Sequence, residues 1–87
     1  MELQHPLLEE FPQYKDLIIR LRDENAHFRV LYDEYHAVDE RIERIELDKE
    51  RATDQELESL KLRRVGLKDA LFHILRVSRR NMPAVAA

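Results

Sequence analysis

The apolar residues in the middle of this chain recur at alternating intervals of three and four. The positions that follow this rule between residues 28 and 45 are Phe28, Leu31, Tyr35, Val38, Ile42 and Ile45. A repeat averaging about 3.5 residues keeps its members on one face of an α-helix and is typical of coiled coils. The pattern therefore predicts a long amphipathic helix over about residues 26–50.

A second seam with the same spacing occupies the last third of the chain. Its members are Leu57, Leu60, Arg64, Leu67, Leu71, Ile74 and Ser78. It follows a capping box, in which the Thr53 hydroxyl and the Glu56 carboxylate each accept a hydrogen bond from a free N–H group at a helix start. The pattern predicts a helix over about 54–80. Because a short turn near Arg51-Ala52 makes consecutive helices antiparallel neighbours, the fold class we expect is all-α, an antiparallel, coiled-coil-like helical hairpin.

A shorter helix is predicted in front of the hairpin, over about residues 13–24. Pro12 suits the first turn of a helix, where its missing N–H group is not needed. Asn25 is a good N-cap for the helix that follows, because its side-chain oxygen can accept from a free backbone N–H group. The first seam nevertheless extends backwards through Leu21 and Leu17, so one continuous helix over residues 13–50 remains an alternative.

The two ends of the chain carry no sustained apolar period. We expect residues 1–10 to form a loosely ordered lead-in. Pro83 ends the last helix, and residues 81–87 are expected to be a mobile tail. Residues 11–80 are therefore predicted to form the single domain of the chain.

An antiparallel hairpin with its bend near residue 51 pairs the two seams layer by layer. The predicted layers are Ile45 with Leu57, Ile42 with Leu60, Val38 with Arg64, Tyr35 with Leu67, Leu31 with Leu71, and Phe28 with Ile74. On one flank the charged pairs are opposite in sign, Glu46 with Lys61 and Asp39 with Lys68. On the other flank they are alike in sign, Arg41 with Arg63 and Asp48 with Glu56. Surface pairs are worth about 0–1 kcal/mol each, so the apolar layers should carry the fold.

The composition agrees with a small helical domain that has no covalent cross-link. The chain has 87 residues, of which 44% are hydrophobic and 38% charged, with one Gly, three Pro and no Cys. This mixture is typical of long helices, and the lack of Cys excludes disulfides and cysteine metal sites. No apolar run approaches the roughly 18 residues of a membrane span, and the N-terminus lacks the pattern of a secretory signal. We therefore expect a cytoplasmic protein without membrane attachment.

Charge is distributed unevenly along the chain. Residues 1–50 contain 7 Lys or Arg and 14 Asp or Glu, a net charge of −7, whereas residues 51–87 contain 8 and 4, a net charge of +4. Such a split can mark a nucleic-acid-binding arm. The interpretation we favour is an acidic helix packed beside a basic helix of the same molecule.

Candidate catalytic and metal-binding groups are sparse. His36, Asp39 and Glu40 share one face of a predicted helix, but the other three histidines have no ligand spacing relative to them, and a metal site needs three or four converging ligands. Ser59 and Ser78 lack a Ser-His-Asp arrangement, and a chain with one glycine cannot form a phosphate-binding loop. We therefore expect no enzymatic activity, no metal and no cofactor.

Three stretches of the chain follow one known pattern. They are Phe11-Pro12-Gln13-Tyr14-Lys15-Asp16-Leu17-Ile18 through Asp23-Glu24-Asn25; the positions Phe28, Leu31, His36, Asp39 and Ile42; and Leu57, Leu60-Lys61, Arg64 and Leu67-Lys68-Asp69. Together they resemble the YdcH-like family of small bacterial proteins, over residues 11 to about 75. The resemblance implies an α-helical hairpin, a bacterial source and no assigned biochemical activity. The chain departs from the family pattern at Ala37, Val38 and Ala70, which affects packing and charge.

Two function hypotheses remain, and the first is a small non-enzymatic module that self-associates or docks another protein. It rests on the apolar residues that the seam leaves uncovered, which are Leu17, Ile18, Leu21, Leu62, Val65 and Phe72. A symmetric partner offers the same face in return, so a homodimer is the favoured form. The alternative is a small nucleic-acid accessory protein that uses the C-terminal arginines Arg76, Arg79 and Arg80. The acidic net charge of the chain disfavours this alternative.

Overall fold

The computed structural model describes residues 6–81, and this part of the chain is helical almost throughout. Its elements are α1 (Pro6–Glu10), a 3-10 turn (Pro12–Tyr14), α2 (Lys15–Glu24), α3 (Ala26–Glu46) and α4 (Asp54–Asn81). Helices α3 and α4 pack against each other as a hairpin, and the shorter helices pack on that hairpin. The prediction of an all-α hairpin preceded by a short helix is confirmed.

Asn25 separates α2 from α3, so the alternative of one continuous helix is wrong. Its backbone is extended, with φ −121° and ψ 108°. Its side-chain Oδ1 accepts a hydrogen bond from the Phe28 N–H group at 2.9 Å, and its own N–H group donates to the carbonyl oxygen of Leu21 at 2.8 Å. One residue therefore ends α2 and caps α3, and this change of direction lets α2 pack against the hairpin.

The turn between α3 and α4 starts earlier than predicted, because α3 ends at Glu46 rather than near residue 50. Asp48 adopts a left-handed backbone conformation, with a φ of 60°. The Lys49 N–H group donates to the carbonyl oxygen of Arg44 at 2.8 Å, and the Asp48 N–H group donates to that of Ile45 at 3.1 Å. This is a Schellman motif, which satisfies carbonyl groups that have no partner at a helix end.

Helix α4 begins with the predicted capping box. The Thr53 N–H group donates to Glu56 Oε1 at 2.8 Å, and the Glu56 N–H group donates to Thr53 Oγ1 at 3.0 Å. Two turns later, Lys61 pairs with Glu46 of α3 at 3.2 Å, as predicted. The helix comprises 28 residues in all and ends at Asn81, one residue beyond the predicted end.

The core is one cluster that extends along the hairpin and under the N-terminal helices. Its buried side chains are Leu7, Ile18, Phe28, Tyr32, Tyr35, Val38, Ile42, Leu67, Leu71 and Leu75. Tyr32 and Leu75 lie outside the predicted seams. They are buried because α1 and α2 cover the open end of the hairpin from the side, so the apolar stripe is wider there than a two-helix seam. Near the turn, Leu57 and Leu60 are only partly buried.

The N-terminal segment contributes more than predicted. Residues 6–10 form α1, and the Leu7 side chain is fully buried. The Phe11 N–H group donates to the carbonyl oxygen of Leu7 at 3.0 Å, which closes the turn that follows α1. The prediction of a loosely ordered lead-in is therefore wrong for residues 6–10. The predictions for residues 1–5 and for the tail from residue 82 onward lie outside the described residues.

Candidate interaction surface

Ion pairs join the helices along one flank of the hairpin, but one of them differs from the prediction. Asp39 binds Arg64 at 2.7 Å, so the predicted pair of Asp39 with Lys68 is wrong. Arg64 occupies a seam position, and its guanidinium reaches the nearest carboxylate because a desolvated charge without a partner is costly. Lys68 instead binds Glu10 of α1 at 3.2 Å. This flank therefore ties α1 as well as α3 to α4.

On the flank where like charges were predicted to face each other, the arginines also form ion pairs with carboxylates of the same chain. Arg41 and Arg44 both bind Glu50, at 2.8 and 3.2 Å, and Arg63 is paired with Glu34. The hydrogen bonds from Arg41 and Arg44 hold the pKa of the Glu50 carboxyl below its ordinary value. The early end of α3 explains this difference, because it places Glu50 in a turn that leads back toward the two arginines.

Aromatic side chains from both ends of the chain meet at the open end of the hairpin. The rings of Phe72 and Phe11 are stacked, with centroids 4.9 Å apart and an interplanar angle of 12°. Tyr14 meets Phe72 edge-on at 6.2 Å. Phe72 is consequently half-buried. Phe72, one of the predicted interaction residues, is therefore partly covered by its own chain, and its ring holds the segment between α1 and α2 against α4.

The other predicted interaction residues fall into two groups. Ile18 is 1% exposed, and Leu17 and Leu21 are half-buried against the core. Leu62 and Val65 differ, because 66% and 52% of their surfaces are exposed. The chain thus covers its N-terminal apolar residues itself, so we remove Ile18 from the set offered to a partner. Leu62 and Val65 remain uncovered.

Leu62 and Val65 belong to a continuous exposed surface, which we name the outer face of α4. It consists of Glu58, Leu62, Val65, Gly66, Asp69 and Arg76, all of which are exposed. The core residues Leu67 and Leu71 lie on the opposite side of the helix. A Cβ atom added at Gly66 would meet no other atom within 4 Å. Close packing within the described chain therefore does not account for a glycine at this position.

The C-terminal arginines lie beside the aromatic cluster. The Arg76 guanidinium is 5.6 Å from the centroid of the Phe72 ring, and that of Arg79 is 5.5 Å from the centroid of the Tyr14 ring. Both distances fit cation–π contacts, which extend to about 6 Å. Arg80 is exposed. Two of the three arginines in the nucleic-acid hypothesis therefore help to cover aromatic rings of their own chain.

His36 is engaged within α3. Its Nδ1 donates to the carbonyl oxygen of Tyr32 at 2.9 Å, and its ring centroid lies 4.2 Å from that of Tyr32 and 5.7 Å from that of Tyr35. Burial raises the pKa of the Tyr35 phenol, and the nearby Asp39 and Glu10 carboxylates add to this effect. Among the described residues, no three His, Asp or Glu side chains are grouped so that they could hold a metal ion.

None of the helices formed by residues 6–81 is both long enough and apolar enough to cross a membrane.

Comparison with known proteins identifies the relatives of this hairpin. The model of the family described as "Protein of unknown function (DUF465)" matches residues 28–75, from the start of α3 to the buried Leu75 of α4. Two curated relatives, each called "Uncharacterized protein YdcH", come from Escherichia coli (strain K12) and Shigella flexneri. Each is 38% identical over 65 residues, which cover 75% of this chain and 88% of the relative. No solved structure matches the chain. The resemblance seen in the sequence is thereby confirmed, and the chain belongs to the DUF465 family of small, uncharacterised, YdcH-like bacterial proteins.

Proposed function

We propose that the protein is a non-enzymatic interaction module that forms a homodimer through the outer face of α4. The observation that carries this proposal is the exposure of Leu62 and Val65, two neighbouring apolar side chains in a 28-residue helix. Fully covering an apolar side chain of this kind is worth roughly 1.5–3 kcal/mol. A second copy presents the same face, so one symmetric contact covers both sets of side chains.

Gly66 gives this proposal independent support. Glycine inside a helix is less stable than alanine by about 0.5–1 kcal/mol. No atom of residues 6–81 comes within 4 Å of a Cβ placed at Gly66, so close packing within this part of the chain does not compensate the cost. A glycine next to exposed apolar side chains allows the backbone of another helix to approach closely, and such a contact would account for it.

The charged residues of the hairpin support a non-enzymatic role. Asp39 is paired with Arg64, and Glu50 is paired with Arg41 and Arg44. A catalytic acid at neutral pH typically has its pKa raised by an apolar pocket, whereas the pKa of Glu50 is lowered by its arginines. These carboxylates stabilise helix packing and the turn.

The nucleic-acid alternative has weaker support. The chain has a net charge of −3, and Arg76 and Arg79 lie over aromatic rings of the same molecule. Retention on DNA or RNA that falls steeply with salt would favour this alternative, because phosphate contacts release counterions.

Sedimentation equilibrium tests the proposal on the full chain. A single helix face makes a small interface, so the protein is measured from about 10 µM to about 1 mM. We expect Leu62→Glu to shift the protein to monomers while its helical circular dichroism is unchanged. Val30→Glu is the matched control, because Val30 is 63% exposed but lies on α3. A monomeric native protein over the whole range, or equal loss of dimer in the two variants, contradicts the proposal.

A further inference from the structure

We infer that the two copies of α4 lie antiparallel in this dimer, so that Glu58 of each chain faces Arg76 of the other. This inference rests on the proposed function and specifies the partner and its orientation. The contact is formed by the outer face of α4 on both sides, with a two-fold axis at the level of residue 67.

Charge is distributed asymmetrically along α4. The acidic residues near its N-terminal end are Asp54, Glu56 and Glu58, and the basic residues near its C-terminal end are Arg76, Arg79 and Arg80. An antiparallel pair of such helices places the acidic part of each beside the basic part of the other. A parallel pair places like charges together, which costs free energy. The face is therefore complementary to a second copy of itself in one orientation.

The spacing of the two charges on the helix also favours this arrangement. Glu58 and Arg76 are 18 residues apart, which is about five turns and about 27 Å of an α-helix. They consequently lie on the same line along α4, one toward each end of the outer face. Leu62 and Val65 lie between them, together with Gly66. A two-fold axis midway places Val65 about 6 Å along the axis from its copy, where the two side chains can pack.

Both charges are open to a partner. Glu58 forms no ion pair with any of residues 6–81, and Arg76 has the Phe72 ring on one side but no carboxylate among them. The remaining basic residues of α4 in this region are engaged within the chain: Lys61, Arg63, Arg64 and Lys68 each bind a carboxylate. The pairs within the hairpin thus leave three charges of the outer face for a contact between molecules, Glu58, Asp69 and Arg76. Of these, Glu58 and Arg76 are opposite in sign and lie toward opposite ends of the face.

Charge reversal on the full chain tests this arrangement. Glu58→Arg and Arg76→Glu are each expected to weaken the dimer by about tenfold in Kd, because each turns two attractive contacts into two repulsive ones. The double variant is expected to restore Kd to within about threefold of the native value. The two residues are about 27 Å apart in one chain, so the rescue can arise only between chains. In a parallel dimer the double variant still places like charges together and gives no rescue.

A matched control separates this pairing from a general effect of net charge. Glu40 is an exposed acidic residue of α3 without an ion pair in the described residues, so combining Glu40→Arg with Arg76→Glu should leave the dimer as weak as Arg76→Glu alone. If the native protein dimerises but the Glu58→Arg, Arg76→Glu double variant does not recover the native Kd, the antiparallel arrangement is wrong. Self-association would still stand in that case. A native protein that stays monomeric overturns the proposed function itself.

Discussion

Asp48 lies in the turn that follows α3 and has a left-handed backbone conformation, which glycine adopts at little cost. Its φ of 60° penalises most residues by about 1–2 kcal/mol and Asp by less, and this position of a Schellman motif prefers Gly. We expect Asp48→Gly to raise the free energy of unfolding by about 0.5–1 kcal/mol in urea titrations. Asp48→Ala serves as the control and should lower it. A glycine variant no more stable than the alanine variant would show that this residue does not limit the turn.

Gly66 should respond to substitution in two opposite ways. Because a Cβ atom there meets nothing within 4 Å in the single chain, Gly66→Ala should stabilise the monomer by about 0.5–1 kcal/mol. The same methyl group should weaken the proposed dimer, because in that arrangement it stands where the second helix would approach. Urea unfolding at low concentration measures the first effect, and sedimentation at high concentration measures the second. A more stable monomer with an unchanged dimer Kd would place Gly66 outside the contact.

Asp39 should be energetically coupled to Arg64 and not to Lys68. The pair is partly exposed, with 23% of the Asp39 side chain and 34% of the Arg64 side chain accessible. We expect a double-mutant cycle of Asp39→Asn and Arg64→Gln to give a coupling energy of about 0.5–1 kcal/mol. The same cycle with Lys68→Gln is the control and should be additive. Coupling of equal size in both cycles would contradict the observed partners.

At the scale of elements, the parts of the fold with a local signal could be predicted. Two sustained seams predicted α3 and α4, and the capping box and Asn25 predicted where α4 and α3 begin. Helix α1 could not be found this way, because a five-residue helix with one buried leucine produces no period. Burial of Tyr32 and Leu75 could not be predicted either, since it depends on where the N-terminal helices pack on the hairpin.

The same dependence on packing explains why some of the predicted interaction residues are covered and others are exposed. Leu62, Val65 and Phe72 look equivalent along the sequence, because all three lie off the seam. Only the position of Phe11 against α4 separates them, since it covers Phe72 and leaves Leu62 and Val65 exposed. Sequence periodicity identifies which side of a helix is apolar, but it does not identify which other part of the chain covers that side.

The α3–α4 turn should make stability depend on acidity through Glu50. Its pKa is lowered in the folded chain by Arg41 and Arg44, so the stabilisation is fully present above the ordinary glutamate pKa of about 4.3 and is lost as pH falls through the lowered value. We expect the free energy of unfolding of Glu50→Gln to fall less steeply than that of the native chain as the pH is lowered from about 5 to about 3. Glu40→Gln is the control, because Glu40 is exposed and unpaired among the described residues. Identical pH profiles for the native chain and Glu50→Gln would exclude this contribution.

At the scale of the whole molecule, the two charge regions have separate uses. Part of the negative charge of residues 1–50 is paired with positive charge of residues 51–87 along the partly exposed flanks of the hairpin, where Glu34, Asp39 and Glu46 bind basic residues of α4. The polarity along α4 itself is not consumed by these contacts. Together with the exposed Leu62 and Val65, it is the basis of the proposed contact with a second copy.

The mass of the unmodified full chain as a function of concentration tests the central claim of self-association most directly. The chain has a mass of 10.5 kDa. Sedimentation equilibrium between about 10 µM and about 1 mM is expected to show the mean mass rising toward twice that value, with a single monomer–dimer equilibrium fitting the whole range. A mean mass that stays at 10.5 kDa at every concentration would contradict the account.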